Sequence, residues 1–135
     1  MRIALDSSVL IAANISRAGT CAELLEDLLL HHELVISEYI LDELHRKLIE
    51  KFHFPRREVD QVVSFLRGVG TIVVPAVLPA GLCRDPADMP VLGTAVAGKC
   101  ALLISVDRDL LDLQTVKDIP IVRPGEFWRR TSEET

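Results

Sequence analysis

A chain of 135 residues is long enough for one domain with a sizeable core, and 49% of its residues are hydrophobic whereas only 4% are aromatic. The formal net charge of −5 argues against tight non-specific binding of nucleic acid, although clustered metal-binding acids would add negative charge to a nucleic-acid enzyme. Three cysteines without CxxC spacing form neither a disulfide framework nor a zinc pattern, and no apolar run approaches the ~18 residues of a membrane span, so we expect a cytoplasmic protein without a membrane segment.

Short apolar runs alternate with longer helical patterns along the whole chain. The first half predicts, in order, a strand at 2–5, helices at 8–15 and 18–31, a strand at 34–36, a helix at 38–51 and another from Pro55 to the glycines at 68 and 70. The second half predicts a strand at 71–74, a loop at 75–87, a helix to about Lys99, a strand at 101–106, a helical turn at 110–113, a strand at 119–122 and a short helix at 124–129.

This alternation predicts the fold class. Strands separated by helices imply right-handed crossovers, and hence a parallel sheet of about five strands between two layers of helices. With no linker long enough to divide the chain, we expect residues 1–135 to form a single three-layer α/β/α domain.

The position of Pro90 locates the start of one helix. With Asp85 as N-cap, the proline would fall within the helix and remove a needed N–H group. With Asp88 as N-cap it falls in the first turn, where that group has no helical partner. We therefore predict Asp88 at the mouth of the helix and Asp85 in the preceding loop.

Four acids are expected at one edge of this sheet. Asp6 follows the first strand, Asp107 follows the fourth, Asp88 begins the helix before it, and Glu43 lies in the helix after the second strand. Parallel sheets bind ligands beyond the carboxyl ends of their strands. Carboxylates that converge without basic partners repel one another, and a divalent cation such as Mg²⁺ or Mn²⁺ relieves that repulsion. The pattern indicates metal-dependent phosphoryl chemistry.

Each acid also has an ordinary structural role open to it. Glu43 can form an i,i+4 ion pair with Lys47 on the same helix. The other acids can cap helices or turns: Asp6, Asp85, Asp88, Asp107 and Asp109.

Five stretches together resemble the PIN-domain family. LDSSVLIAA, SEYILDEL, RDPADMPVLGTAVA and LLISVDRDLL match its four acidic motifs in order and spacing. PIVRPGEF resembles the closing strand and helix of its toxin-like bacterial branch, which includes the VapC-type ribonuclease toxins. The resemblance covers nearly the whole chain.

The resemblance implies a PIN-like fold and a Mg²⁺- or Mn²⁺-dependent endoribonuclease, a hydrolase that uses water as nucleophile. It assigns catalytic roles to Asp6, Glu43, Asp88 and Asp107, and metal binding to Asp6, Asp88 and Asp107. Supporting positions are Ser8, Ser105, Asp109 and, in reserve, Asp85. It also implies an RNA substrate, a small antitoxin partner and a homodimer.

One departure from the family leaves an alternative open. Met89 stands where the family commonly has Asp or Asn beside the matched acid, which allows a catalytically weak or inactive interaction module. Other Rossmann-like enzymes fit poorly: a haloacid-dehalogenase phosphatase needs an acid at position 8, which is Ser8, and a response-regulator receiver needs Asp after the third strand, where Pro75 follows Val74.

Three arginines are candidates for contacts with substrate phosphates. Arg17, Arg84 and Arg108 lie in or next to loops that we place on the acidic edge, where they are either phosphate contacts or simply solvated charges. The charges around Arg46 and Lys47 alternate in sign and predict no basic stripe.

Overall fold

The computed structural model describes residues 1–133, except for the side chain of Glu133. The predicted domain of 1–135 also includes residues 134 and 135, which lie outside the described residues. The strands are β1 (Arg2–Leu5), β2 (Glu33–Ile36), β3 (Thr71–Ile72), β4 (Leu102–Ile104), β5 (Thr115–Val116) and β6 (Ile119–Val122). The helices are α1 (Ser7–Ile15), α2 (Thr20–His31), α3 (Glu38–Glu50), α4 (Arg56–Val69), α5 (Met89–Ala97), α6 (Arg108–Leu111) and α7 (Pro124–Glu133).

The strands form one sheet in the order β3-β2-β1-β4-β6-β5. All neighbours are parallel except β5 and β6, and Ile3 of β1 pairs with Leu34 on one side and with Leu102 on the other. The connections from β1 to β2 and from β3 to β4 run in opposite directions across the sheet, so right-handed crossovers place their helices on opposite faces. The predicted α/β fold is confirmed, and the strand order reverses between β1 and β4.

Aliphatic side chains fill the interior, as the composition requires. The three apolar residues of β1, Ile3, Ala4 and Leu5, are fully buried, as expected for the central strand of a sheet covered on both faces. Helix α5 packs against β1, β2 and β4, and α2 packs against β2. Among residues 1–133, no helix combines the length and the hydrophobicity that a membrane crossing requires.

The sequence did not predict β5. It forms a tight hairpin with β6 in which Lys117 and Asp118 both adopt positive φ, of 47° and 67°. Turns of this kind favour Asn and Gly, so a Lys-Asp pair gives little signal of one. Two predicted strands are also shorter in the structure, because β3 ends at Ile72 and β4 ends at Ile104.

The loop between β3 and α5 is held closely against that helix at Gly93. The Ala76 amide donates a hydrogen bond to the Gly93 carbonyl at 2.9 Å. A Cβ atom at Gly93 would lie 2.4 Å from the Ala76 carbonyl oxygen, which is closer than atoms can approach. A glycine at this position therefore lets the loop follow α5 toward the carboxyl edge of the sheet, where Asp85 and Asp88 lie.

Candidate functional site

Asp6 is the first residue after β1 and is 4% exposed. Its carboxylate does not cap α1; instead its Oδ2 accepts hydrogen bonds from Ser8 Oγ at 2.7 Å and from Ser105 Oγ at 2.8 Å. The same hydroxyls accept from the next loop, Ser8 from the Val106 amide at 3.3 Å and Ser105 from the Asp107 amide at 2.8 Å. Two serines thus tie the ends of β1 and β4 together and fix the orientation of Asp6.

Glu43 projects from α3 and its side chain is 15% exposed. Its Oε1 accepts from Ser7 Oγ at 2.5 Å and from Lys47 Nζ at 2.9 Å. The i,i+4 pair allowed by the sequence is therefore formed, and the expectation of acids without basic partners is wrong for Glu43. Sequence reasoning also missed Ser7, for which the adjacent serines after Asp6 were the available signal.

Asp85 precedes and Asp88 ends a short 3-10 turn, Pro86–Asp88, directly before α5. Asp85 Oδ1 caps this turn by accepting from the Ala87 amide at 3.0 Å. Asp88 begins α5 as predicted, but its side chain does not cap the helix. Its Oδ2 is buried and has no hydrogen-bond partner among the described residues. Met89 packs against the hydrophobic core, so Asp88 and not Met89 faces the site.

Asp107 has the structural role that the sequence allowed. Its Oδ1 caps α6 by accepting from the Asp109 amide at 3.1 Å. Asp109 itself points elsewhere and pairs with Arg84 at 3.5 Å.

The four acids matched by resemblance border one cavity of about 260 Å³. It is lined by Asp6, Ser7, Ser8, Glu43, Arg46, Lys47, Asp85, Ala87, Asp88 and Asp107. Of the two cations in this lining, the sequence offered Lys47 only as an ion-pair partner of Glu43 and assigned no role to Arg46.

The three predicted arginines do not line this cavity. Arg17 lines a separate cavity with residues of α2 and α4, such as Leu25 and Phe65. Arg84 is paired with Asp109, and Arg108 is exposed at the start of α6.

The site opposes the accumulation of negative charge. Burial raises the pKa of Asp88 to about 7, with further contributions from Asp107, Asp6, Asp85 and Glu43. Burial also raises the pKa of Asp6, against the lowering effect of its two serine hydrogen bonds, and the charges of Glu43 and Asp107 raise it further. Binding of a proton or a cation would relieve the unfavourable free energy of burying these two charged carboxylates beside other acids.

The donor set fits a hard divalent cation such as Mg²⁺ or Mn²⁺. These ions prefer carboxylate oxygens together with water, and the buried, unpartnered Asp88 Oδ2 is such an oxygen. Within residues 1–133, however, no three acid, histidine or cysteine side chains already stand at the spacing of a formed metal site. The acids therefore surround a shared cavity without meeting at one point.

Comparison with known proteins gives the family. A family model described as PIN domain matches residues 2–109. The chain belongs to the PIN-domain family. The resemblance found in the sequence motifs is thereby confirmed, and members of this family are generally nucleases.

Two solved structures share the fold of this PIN domain. A chain of VapBC2 from Rickettsia felis, bound to a DNA fragment from its promoter, has 12% sequence identity and a TM-score of 0.65, with 91% of this chain and 98% of that chain covered. A chain of VapBC-1 from nontypeable Haemophilus influenzae has 16% identity and a TM-score of 0.63, with 93% and 99% covered. No curated protein matches the chain.

Proposed function

We propose that this PIN domain is a Mg²⁺- or Mn²⁺-dependent endoribonuclease that hydrolyses RNA phosphodiesters. The observation that carries the proposal is the Asp88 carboxylate, which has a buried oxygen without a partner and faces a cavity shared with Asp6, Glu43 and Asp107. A protein that only needed a stable fold would gain by replacing this acid with an apolar residue.

Asp6, Asp88 and Asp107 would hold the ion. Each has an oxygen that takes no hydrogen bond from the described residues, whereas Oδ2 of Asp6 and Oδ1 of Asp107 are bonded within the protein. A divalent cation there supplies charge stabilisation for the phosphodiester in its transition state and lowers the pKa of water.

Glu43 would orient the attacking water. Ser7 and Lys47 both bind its Oε1, which leaves Oε2 available to accept a hydrogen bond from a water molecule in the cavity. The supporting role proposed for Ser8 and Ser105 rests on their bonds to Asp6 Oδ2, which fix the orientation of that carboxylate and lower its pKa against the larger effect of burial.

The test is cleavage of single-stranded RNA with added Mn²⁺ or Mg²⁺. We expect Asp6→Asn and Asp88→Asn to abolish cleavage while both variants remain folded. Asp112→Asn, the same change at an exposed residue outside the cavity, serves as control. Full metal-dependent activity in pure Asp6→Asn protein would refute the proposed site.

We further propose that the protein is a cytoplasmic toxin of a toxin–antitoxin pair and forms a homodimer. The support is the shared fold with chains of VapBC complexes. The product of a small adjoining gene, co-expressed with this chain, should copurify with it and suppress RNA cleavage. Light scattering of the isolated chain tests the dimer.

The alternative is a PIN-like interaction module with little or no catalysis. The ion pair between Glu43 and Lys47, together with the lack of three converged ligands among residues 1–133, favours it. Thermal unfolding with added Mn²⁺ separates the two, because an ion that binds only the native state must raise the midpoint. No shift at millimolar Mn²⁺ would favour the inactive module.

A further inference from the structure

Two cations border the acid cavity, and they are consecutive residues on α3. Arg46 and Lys47 both contribute to its lining, one turn beyond Glu43. The other charged groups of that lining are five carboxylates, those of Asp6, Glu43, Asp85, Asp88 and Asp107. An RNA strand brings one negative charge per phosphate, so it needs positive charge at the rim of such a cavity.

The two cations differ in what already binds them. Lys47 Nζ lies 2.9 Å from Glu43 Oε1, and that pair is half buried. Arg46 makes only a loose ion pair, with 3.8 Å between its Nη1 and Glu50 Oε2, and its side chain is 58% exposed. The guanidinium of Arg46 can therefore leave Glu50 at little cost in free energy. If Lys47 left Glu43, the Glu43 carboxylate would lose its counter-charge beside the other acids of the cavity.

Tyr39 lies between Arg46 and the turn that carries Asp88 in the sequence of contacts. Burial and the charges of Glu43, Asp88 and Asp85 raise the pKa of the Tyr39 phenol, and Arg46 acts in the opposite sense. The Tyr39 hydroxyl donates to the Ala87 carbonyl at 2.7 Å, next to Asp88. Arg46 is thus near a tyrosine whose hydroxyl is bonded to the turn that carries Asp88.

Building on the proposed nuclease function, we infer that Arg46 binds a phosphate of the RNA strand at the mouth of the acid cavity. Its planar guanidinium can form two parallel hydrogen bonds to one phosphate. Lys47 has a different role: it is a positioning residue that, with Ser7, holds Glu43. Unlike Arg17, Arg84 and Arg108, Arg46 lines the acid cavity.

The test measures binding of a fluorescein-labelled single-stranded oligoribonucleotide by anisotropy, over a range of salt concentrations. All variants are made in the Asp6→Asn background, which we expect to bind RNA without cutting it. Arg46→Gln should weaken binding roughly tenfold and reduce the slope of log Kd against log salt by about 0.7, the value for one lost contact on a single strand. Arg46→Lys should restore most of the slope, since it keeps the charge.

The matched control is Arg56→Gln, the same change on the exposed surface of α4 and outside the acid cavity. In the active protein, Arg46→Gln should raise KM more than it lowers kcat. Lys47→Met should mainly lower kcat, because it frees Glu43 rather than removing a substrate contact.

An Arg46→Gln protein with the same affinity and salt slope as Arg56→Gln, in a background that binds RNA, would overturn this inference and leave the proposed nuclease standing. Failure of the wild-type chain to bind or cut RNA with either metal would overturn both.

Discussion

The Asp88 carboxyl group should destabilise the metal-free protein at neutral pH. Its folded pKa is raised to about 7 from an ordinary value of 3.8, mainly by burial and then by neighbouring acids. A carboxyl group with a raised folded pKa favours the native state below its unfolded pKa, and this contribution is lost as pH rises through the folded value. Asp88→Asn keeps the shape and removes the charge, so its stability relative to wild type should increase between pH 4 and pH 7.

The magnitude follows from the pKa. A change from 3.8 to about 7 corresponds to at most ~4 kcal/mol in the free energy of unfolding. Asp88 is only partly buried, so solvent screening reduces this to ~1–2 kcal/mol. For a domain of this size we expect the midpoint of Asp88→Asn to exceed that of wild type by ~3–8 °C at pH 8, and by nearly nothing at pH 4.

The assay is thermal and urea unfolding in chelator-treated buffer at several pH values, with Asp112→Asn as the matched change. Added Mn²⁺ should then reverse the order, because wild type gains binding free energy that Asp88→Asn lacks; an ion at 100 times its Kd contributes ~2.7 kcal/mol. A metal-free Asp88→Asn protein that is less stable than wild type at pH 8, or whose advantage does not shrink on acidification, would refute the reasoning.

Three further predictions concern the Ser105 hydrogen bonds, the close contact at Gly93 and the pH dependence of metal binding. Ser105→Ala removes the hydrogen bonds to Asp6 Oδ2 and from the Asp107 amide, so it should lower the free energy of unfolding by ~1–3 kcal/mol, measured with urea at pH 8. Ser64→Ala, on the exposed face of α4, is the control. Gly93→Ala should destabilise the protein by ~1–3 kcal/mol, because the added methyl group would clash with the loop at Ala76. Gly68→Ala, where α4 has open space for a methyl group, should instead stabilise the protein by up to ~1 kcal/mol. Added Mn²⁺ should raise the unfolding midpoint more at pH 8 than at pH 5.5, because the raised pKa of Asp88 leaves its carboxyl group mostly protonated in acid. An equal rise at both pH values would exclude the Asp88 carboxylate as a ligand.

Local sequence pattern was sufficient for most of the fold. Continuous aliphatic runs and helical periodicity located β1, β2, β4 and β6, because burial on both faces leaves a distinct composition. Strand β5 has two residues and depends on its pairing with β6, so no period could reveal it. The end of β4 was also misplaced, since Ser105 and Val106 suit a strand but are drawn into the loop that holds Asp6.

The site was harder to predict because its contacts are distant in sequence. Sequence order placed the acids at strand ends, and a parallel sheet brings such ends together. Nothing local could show that Ser105 bonds Asp6 across 99 positions, or that Ser7 reaches Glu43. The three arginines selected from the sequence do not line the cavity for a related reason: proximity to a loop in sequence does not fix the position of a side chain. Arg46 lines the cavity because α3 carries it beside Glu43.

The sequence posed structural and functional roles for each acid as alternatives, but a carboxylate with a structural role still has a second oxygen for the proposed function. A carboxylate has two oxygens, and the protein uses one of them. Asp107 caps α6 with Oδ1, Glu43 binds Lys47 and Ser7 through Oε1, and Asp6 receives two serines on Oδ2. Bonding of one oxygen restrains the whole carboxylate beside the other acids of the cavity, at a cost in repulsion. Asp88 differs, because its side chain caps nothing and one of its oxygens is buried without a partner, so it has the least structural reason to be an acid.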